Sequence, residues 1–225
     1  MTRSLVINAN VNFDVGGGTL LIADGKGQHI SDLAKADPSS TYIYVFCSDS
    51  DPTDTSSGLC RQSACLAPAR APLATVVADA FAGNAAEFPT LFKKYYKGGF
   101  TEPGTSGDPN AAANSGHYTP VIAAEGNFPS VLYDASTQQY LIAYTNDNRA
   151  IAMQHGSTLL SWSGPIASGA ITNGANSILY PTLIGEGADP ATGNGNPWLF
   201  YITASNFPDW TTVTVVNRRL QLKVK

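Results

Sequence analysis

A repeating pattern of short aromatic and branched segments, separated by tight turns, constrains the fold of this chain more than any other feature. The pattern is clearest between residues 129 and 165, where Tyr140–Tyr144 is flanked by turns rich in Asp, Asn, Ser and Thr. Side chains of these turn residues bond their own backbone, and the segments between them have the composition of β-strands. The stretch therefore predicts three antiparallel strands, closed by a last short segment at Ser161–Pro165.

The same pattern recurs further along the chain. Phe128-Pro129-Ser130-Val131 is matched by Tyr180-Pro181-Thr182-Leu183, and Tyr140–Tyr144 is matched by Trp198–Ile202. Units of about fifty to seventy residues align from near residues 27, 127 and 178. One such unit fits a propeller blade or half of a β-sandwich equally well, and its repetition favours the propeller.

We therefore expect an all-β chain forming a single propeller-type domain of 225 residues, with about three blades that do not complete a ring. The expected divisions are an N-terminal hairpin at 1–26 and blades at 27–126, 127–177 and 178–225. Within the first blade, Leu66–Leu73 reads as a strand, and its prolines predict an edge or irregular position. Val76–Phe81 predicts one or two helical turns.

Composition excludes several classes of function. Charged residues make up 13% of the chain, against about 25% in an average protein, and the net charge is -4. Lys and Arg are scattered, so no basic stripe predicts nucleic-acid binding. No apolar run approaches the roughly 20 residues that span a bilayer. The N-terminal sequence lacks the apolar core of a signal peptide, which predicts either a cytoplasmic protein or a leader that was removed or replaced by Met1.

The three cysteines predict no zinc site, because no second Cys pair and no nearby His accompany them. Cys60 and Cys65 flank a small loop and predict a disulfide in an oxidising compartment. Cys47 follows a strong strand and is expected to be a small buried side chain.

Several motifs, taken in order, resemble one known group of proteins. The motifs are ARAPL, KYYKGGFTEPG, FPSVLYDASTQQYLIAYTND, SWSGP, and YPTLIGEGADP followed by WLFYIT. They resemble the later blades of five-bladed propeller glycoside hydrolases, of the family 43-like arabinanase and xylosidase type and their bacterial relatives. The resemblance covers residues 27 to 222, and implies a chain truncated to the later blades.

The resemblance implies hydrolysis of glycosidic bonds by carboxylate acid and base groups, a carbohydrate or other small-molecule substrate, and secretion or a periplasmic location. Because a blade exposes a face that only its neighbour can cover, three blades also imply closure by a second copy. We therefore expect a homo-oligomer, a dimer.

Glycoside hydrolysis needs two carboxyl groups about 5 to 9.5 Å apart. Glu102 is the leading candidate for the acid, because it lies between an aromatic-rich segment and a Pro-Gly turn; the alternative is an ordinary turn residue. Asp32 is a candidate base on the expected inner strand of the first blade. Glu186 is a third catalytic candidate, and its flanking Gly185 and Gly187 either let a ligand approach or simply form a loop.

Candidates for substrate binding are residues that border the expected inner strands, or aromatic residues that could stack on sugars. They are His29, His117, Glu125 and Trp162. For His29 the alternative is surface turn chemistry, and for Trp162 it is burial in a blade core.

No cofactor is predicted. The three His residues share no zinc-ligand spacing, while the pattern leaves open a calcium site made of carboxylates and carbonyls. Two other functions stay open: a non-catalytic carbohydrate-binding or interaction module, and a metal-dependent hydrolase of phosphoesters or lactones on a propeller scaffold.

Overall fold

The structure, a computed structural model, describes most of the chain. The described residues are 13–14, 20–49, 65–84, 91–103, 118–146, 148–164, 166, 171, 177–206 and 209–222. Across these ranges, no helix has the length and apolar character needed to cross a membrane.

The described residues form mostly β-strands. In chain order these are β1 (Phe13–Asp14), β2 (Leu21–Asp24), β3 (Thr41–Asp49), β4 (Cys65–Pro72), β5 (Lys93–Tyr96), β6 (Gly99–Pro103), β7 (Ile122–Glu125), β8 (Asn127–Asp134), β9 (Gln139–Thr145), β10 (Ile151–Thr158), β11 (Ser161–Trp162), β12 (Ser177–Ile184), β13 (Thr192–Gly193), β14 (Trp198–Asn206) and β15 (Asp209–Arg219).

The strands are arranged in three sheets. Sheet 1 has the order β1-β3-β4-β5-β6, with β2 also paired to β3 and β7 to β4. Sheet 2 has the order β11-β10-β9-β8-β13, in which only the β8–β13 pairing is parallel among the described pairings. Sheet 3 is β12-β14-β15. The three-strand meander and short closing strand predicted for residues 129–165 are therefore present as β8 to β11.

Sheet 2 lies between the other two sheets. Alternate residues of a strand face opposite sides of its sheet, and β9 is buried on both sides. Tyr140, Ile142 and Tyr144 pack in a core with sheet 1, while Leu141 and Ala143 pack in a second core with sheet 3. Three layers enclosing two cores differ from the single core of a two-sheet sandwich. No closed ring of sheets is seen among the described residues, so the propeller remains a prediction.

One α-helix modifies the predicted all-β class. Helix α1 (Leu73–Ala82) follows β4 directly, and Val76 packs against the outer face of sheet 1. The helix ends at Gly83, whose left-handed φ of 77° lets its N–H reach the Ala80 carbonyl. The described residues are therefore mostly β, and α1 is longer than the one or two turns expected for this region.

Of the two positions predicted for Leu66–Leu73, the sheet edge is wrong and the irregular position fits the structure. Strand β4 pairs with β3 along its whole length and has other strands on its opposite side. Pro68 is accommodated because the second partner changes there, from β7 at Cys65 and Leu66 to β5 at Ala69 and Arg70. A residue without an N–H therefore lies where the second ladder is interrupted.

Two of the cysteines are described. Cys47 is buried as predicted, and its thiol donates a 3.0 Å hydrogen bond to the Ala67 carbonyl. Cys65 is disulfide-bonded. Its predicted partner, Cys60, lies outside the described residues.

Candidate functional site

The repeated aromatic-proline motif forms a bulge at the start of β8 and again in the middle of β12. Register shifts fall between Asn127 and Ser130 in β8, and between Leu179 and Thr182 in β12. In both bulges the aromatic residue before the proline has a positive φ, 55° at Phe128 and 54° at Tyr180. The two rings contact each other, with centroids 4.3 Å apart and planes inclined at 48°.

This backbone conformation is strained for an aromatic residue. The left-handed region costs an L-residue with a side chain about 1–2 kcal/mol, because the Cβ crowds the following carbonyl oxygen. Strain of this kind and β-bulges both concentrate at functional sites. Because the same strained bulge is built twice, in strands of adjacent sheets, it marks this end of the strands as the candidate site.

Two buried hydroxyl groups lie at the same end of the strands. Thr145 is opposite Asn127 in the β8–β9 pairing, and Ser48 is opposite Leu66, whose Cγ would lie 3.3 Å from a Cβ at Gly126. Neither hydroxyl has a hydrogen-bond partner among the described residues. A buried polar group left unsatisfied costs about 1–3 kcal/mol, so each hydroxyl would gain from a buried water molecule.

An arginine adds a cation to this end of the molecule. Arg149 Nη1 donates a 3.2 Å hydrogen bond to Ser177 Oγ, and the Arg149 carbonyl accepts a hydrogen bond from the Ile178 N–H. The exposed Arg149 side chain thus lies beside Ser177, the first residue of β12, which is three residues before Tyr180 along that strand. We call Phe128, Tyr180, Arg149, Thr145 and Ser48 the bulge end.

The bulge end has the chemistry of a site for a polar ring-shaped ligand. The Phe128 and Tyr180 rings offer apolar faces, and Tyr180 is 38% exposed. The exposed Arg149 guanidinium donates hydrogen bonds. Apolar surface with a few polar groups is the usual composition of small-molecule sites.

The opposite ends of β8 and β12 carry a buried carboxylate. Asp134 ends β8, and its Oδ2 accepts a 2.6 Å hydrogen bond from the Gly195 N–H while Oδ1 accepts bonds from Ser136 and Thr137. Burial alone raises the pKa of Asp134, but these hydrogen bonds outweigh it and hold the pKa below its ordinary value. Asp134 therefore ties the loop around β13 to sheet 2 and is structural.

We call this end of the strands, opposite the bulge end, the turn end. His29 lies at the turn end too. Its ring stacks on Tyr133, with centroids 3.6 Å apart and planes inclined at 10°. Burial lowers the pKa of His29, and the charge of Asp189 partly opposes that change. At neutral pH the ring is therefore a neutral partner for Tyr133.

Two of the predicted site residues have a local structure different from the one expected. The inner strand predicted to carry His29 and Asp32 is wrong, because His29 makes only a single bridge to Ala23 and Asp32 caps a short 3₁₀ helix at Leu33–Lys35. An Asp side chain accepts readily from a backbone N–H two residues on, here Ala34, and that favours a turn over a strand. Asp32 is also ion-paired with Lys35.

The other two predicted carboxylates each have a basic residue beside them. Glu186 follows β12 at the turn end and is ion-paired with Arg219. Glu102 is half-buried in β6, opposite the buried Lys94 of β5. No contact among the described residues joins Asp32, Glu102 and Glu186 to one another, and their catalytic roles remain predictions.

The predicted substrate-binding residues lie on different elements of the chain. Glu125 ends β7 opposite Cys65, two residues before Asn127, so its backbone is at the bulge end. Trp162 is half-buried, packs edge-on against Phe46 and donates a hydrogen bond to the Leu159 carbonyl. His117 lies outside the described residues. Sequence reasoning noted the aromatic-proline repeat that forms the bulge end, but did not assign it to a site.

The glycines beside Glu186 have different roles. A Cβ at Gly185 would collide with the Thr192 carbonyl oxygen, so this glycine allows close approach of the chain's own backbone. Gly187 has a φ of 111°, and no atom lies within 4 Å of its Cβ position. Of the two alternatives predicted for these glycines, approach of a ligand or formation of a loop, Gly185 fits the formation of a loop.

No cluster of three or more His, Cys, Asp or Glu side chains within the described ranges could hold a metal ion.

Comparison with known proteins gives a limited likeness. No protein-family model and no curated protein matches the chain. Among solved structures, the alpha-L-arabinofuranosidase of Podospora anserina in complex with cellotriose is 10% identical, with a TM-score of 0.43. The alignment covers 94% of this chain and 48% of that one. The catalytic domain of a GH62 alpha-L-arabinofuranosidase from Coprinopsis cinerea is 11% identical, with a TM-score of 0.39, covering 91% and 53%. The chain spans about half the length of these structures, and at these values the likeness identifies neither its fold nor its activity.

Proposed function

We propose that this chain binds glycans at the bulge end, as part of a propeller-type protein similar to the glycoside hydrolases that its motifs resemble. The observation that carries this proposal is the contact between Phe128 and Tyr180 in two equivalent strained bulges. Flat aromatic faces pack against sugar rings, and the exposed Arg149 side chain supplies hydrogen bonds to sugar hydroxyl groups.

The propeller proposal is supported by how the sheets stack. Strands β8 and β12 are the first strands of their units, and they contact through Phe128 and Tyr180 and through a 2.9 Å hydrogen bond from the Leu183 N–H to Ser130 Oγ. In a propeller, equivalent strands of successive blades lie side by side around the axis. The bulge end would then be at one mouth of the central channel.

The proposal is tested by measuring binding to a panel of neutral and acidic oligosaccharides. Because an aromatic contact of about 1.4 kcal/mol changes affinity tenfold, we expect Tyr180→Ala and Phe128→Ala each to weaken glycan binding by at least about tenfold. Phe81→Ala is the matched control, because Phe81 is an aromatic residue that is 91% exposed on α1 and away from the site. Absence of binding across the panel, or unchanged affinity of Tyr180→Ala, would overturn the proposal.

Hydrolysis of a glycosidic bond is the second candidate function, and Glu102 is favoured among the predicted carboxylates. It is half-buried in a strand, whereas Asp32 and Glu186 are both exposed and ion-paired with Lys35 and Arg219. We expect Glu102→Gln to lower turnover of aryl glycosides by at least about a hundredfold, the usual contribution of a general acid. Asp32→Asn and Glu186→Gln are measured beside it. Unchanged turnover in Glu102→Gln would remove Glu102 from the mechanism.

A homodimer remains part of this proposal. Strand β15 lies at the edge of sheet 3, and its Val213 and Val215 are 40% and 69% exposed, which suits coverage by a second copy. Light scattering decides the point. A mass near twice 23.6 kDa is expected, and a mass of one chain would contradict the dimer.

A further inference from the structure

Arg70 of β4 is held rigidly between aromatic rings at the turn end. Its guanidinium carbon lies 4.0 Å from the centre of the Tyr42 ring and 4.1 Å from that of Phe100. Nη1 donates to the Gly25 carbonyl and, at 3.0 Å, to the Tyr44 hydroxyl. Two rings and two acceptors fix the plane of the group, so little conformational freedom is left to lose when a ligand binds.

The remaining donors of this guanidinium are unused. Among the described residues no acceptor contacts Nε or Nη2, and no carboxylate forms an ion pair with Arg70. Asp24, which ends β2 nearby, directs its Oδ1 to the N–H groups of Lys26 and Gln28 in its own turn. A half-buried cation without a counter-ion is unusual in proteins, because charge removed from water is normally paired.

We propose that Arg70 forms a binding site for the carboxylate of a small, flat or ring-shaped organic acid. A planar guanidinium with two unused donors matches a carboxylate, which accepts two parallel hydrogen bonds. Tyr42 and Phe100 provide the flat apolar surfaces beside it. This site lies at the turn end and is independent of the glycan site proposed at the bulge end.

The experiment uses benzoate, its neutral analogue benzamide, and inorganic phosphate, titrated into the wild-type protein and followed by calorimetry. We expect saturable binding of benzoate, and binding of benzamide at least about tenfold weaker because it lacks the charge-assisted pair. Phosphate is expected to bind more weakly than benzoate, because it gains nothing from the aromatic surfaces.

Variants assign the binding to Arg70. Arg70→Met should weaken benzoate binding by at least about tenfold, and Arg70→Lys, which keeps the charge and the packing of the stem, should still weaken it several-fold. Arg218→Met is the control, since Arg218 is an exposed arginine whose guanidinium carbon lies 5.9 Å from the Tyr201 ring centre. The inference is overturned if benzoate does not saturate, if phosphate binds more tightly, or if Arg70→Lys binds benzoate like the wild type. None of these ligands is a glycan, so failure here leaves the proposed glycan binding untouched.

Discussion

The rings of Phe128 and Tyr180 meet across the junction of sheets 2 and 3, with centroids 4.3 Å apart. Both residues precede a proline, both have left-handed backbone, and both lie in a bulge of the first strand of a repeated unit. The repeat seen in the sequence therefore corresponds to a repeated local geometry that places two aromatic rings together. Five predictions test the strained bulge and other contacts of the structure.

The backbone strain at Tyr180 predicts that a glycine variant is more stable than an alanine variant, the reverse of the usual order in a strand. In an ordinary strand, Ala is more stable than Gly by about 0.5–1 kcal/mol. At a φ of 54°, alanine keeps the strain that glycine avoids, so we expect Tyr180→Gly to be more stable than Tyr180→Ala by about 1 kcal/mol. Urea denaturation of both variants measures the difference. Equal stability, or a more stable alanine variant, would show that the bulge is not strained.

The buried carboxylate of Asp134 predicts a large loss of stability when its charge is removed. In Asp134→Asn at least one of the four donors would lose its acceptor, and we expect the free energy of unfolding to fall by about 2–4 kcal/mol. Asp32→Asn is the control, because Asn caps a helix about as well as Asp and the change there should stay within about 0.5 kcal/mol. Similar losses in the two variants would contradict the role given to Asp134.

The lowered pKa of Asp134 also determines how its contribution to the free energy of unfolding depends on pH. The unfolded chain binds the proton near the ordinary value of 3.8, and the folded chain binds it only at lower pH. The stabilisation is therefore complete above the unfolded pKa and is lost as the pH falls through the folded pKa. Acid unfolding followed by circular dichroism should consequently show a shallower pH dependence in Asp134→Asn than in the wild type.

Gly185 predicts a steric effect at a loop that looks tolerant in the sequence. Because a Cβ there would collide with the Thr192 carbonyl oxygen, Gly185→Ala must displace β13 and should cost about 1–3 kcal/mol of stability. Gly164→Ala is the matched control, since no atom lies within 4 Å of its Cβ position, and surface changes of this kind usually stay within about 0.5 kcal/mol. Thermal unfolding measures the stability of both variants. Unchanged stability in Gly185→Ala would mean that the loop packs differently.

His29 predicts a loss of stability below neutral pH. Burial lowers its pKa from the ordinary 6.5, so as pH falls the unfolded chain takes up a proton before the folded chain does. The contribution of His29 to the free energy of unfolding is complete above its unfolded pKa. It decreases as pH falls below that value and through the folded pKa. We expect His29→Gln to reduce the difference in unfolding free energy between about pH 7.5 and about pH 5. An unchanged difference in urea denaturation would exclude a buried neutral imidazole.

Periodic features of the fold could be predicted from the sequence, whereas long-range contacts could not. The alternation around Tyr140–Tyr144 and the repeat of Phe128-Pro129 at Tyr180-Pro181 indicate real strands, because strand composition and turn chemistry are local. Proline after each aromatic residue disfavours right-handed backbone there, but no local signal selects the left-handed region.

The misses have physical causes in particular residues. Asp32 was expected on a strand, yet its side chain bonds the Ala34 N–H and starts a 3₁₀ helix. The prolines of Leu66–Leu73 predict an edge or an irregular position, and β4 is an interior strand whose second partner changes around Pro68. Asp134 holds the loop around β13 through a hydrogen bond from Gly195, which is far along the chain. The Arg70 guanidinium is likewise held by the ring of Phe100, which is on another strand. Such non-local pairs leave no periodic trace in a single sequence.

The most direct test of the proposed function is to locate a bound glycan on the wild-type protein. The tightest-binding oligosaccharide of the panel is titrated into isotopically labelled protein, and backbone amide chemical shifts are followed by NMR. The account predicts that the largest shifts fall at the bulge end, in residues 127–130, 145–146, 148–149 and 177–182. Shifts concentrated instead at the turn end, in residues 24–29, 133–137 and 185–189, or no shifts at saturating oligosaccharide, would contradict it.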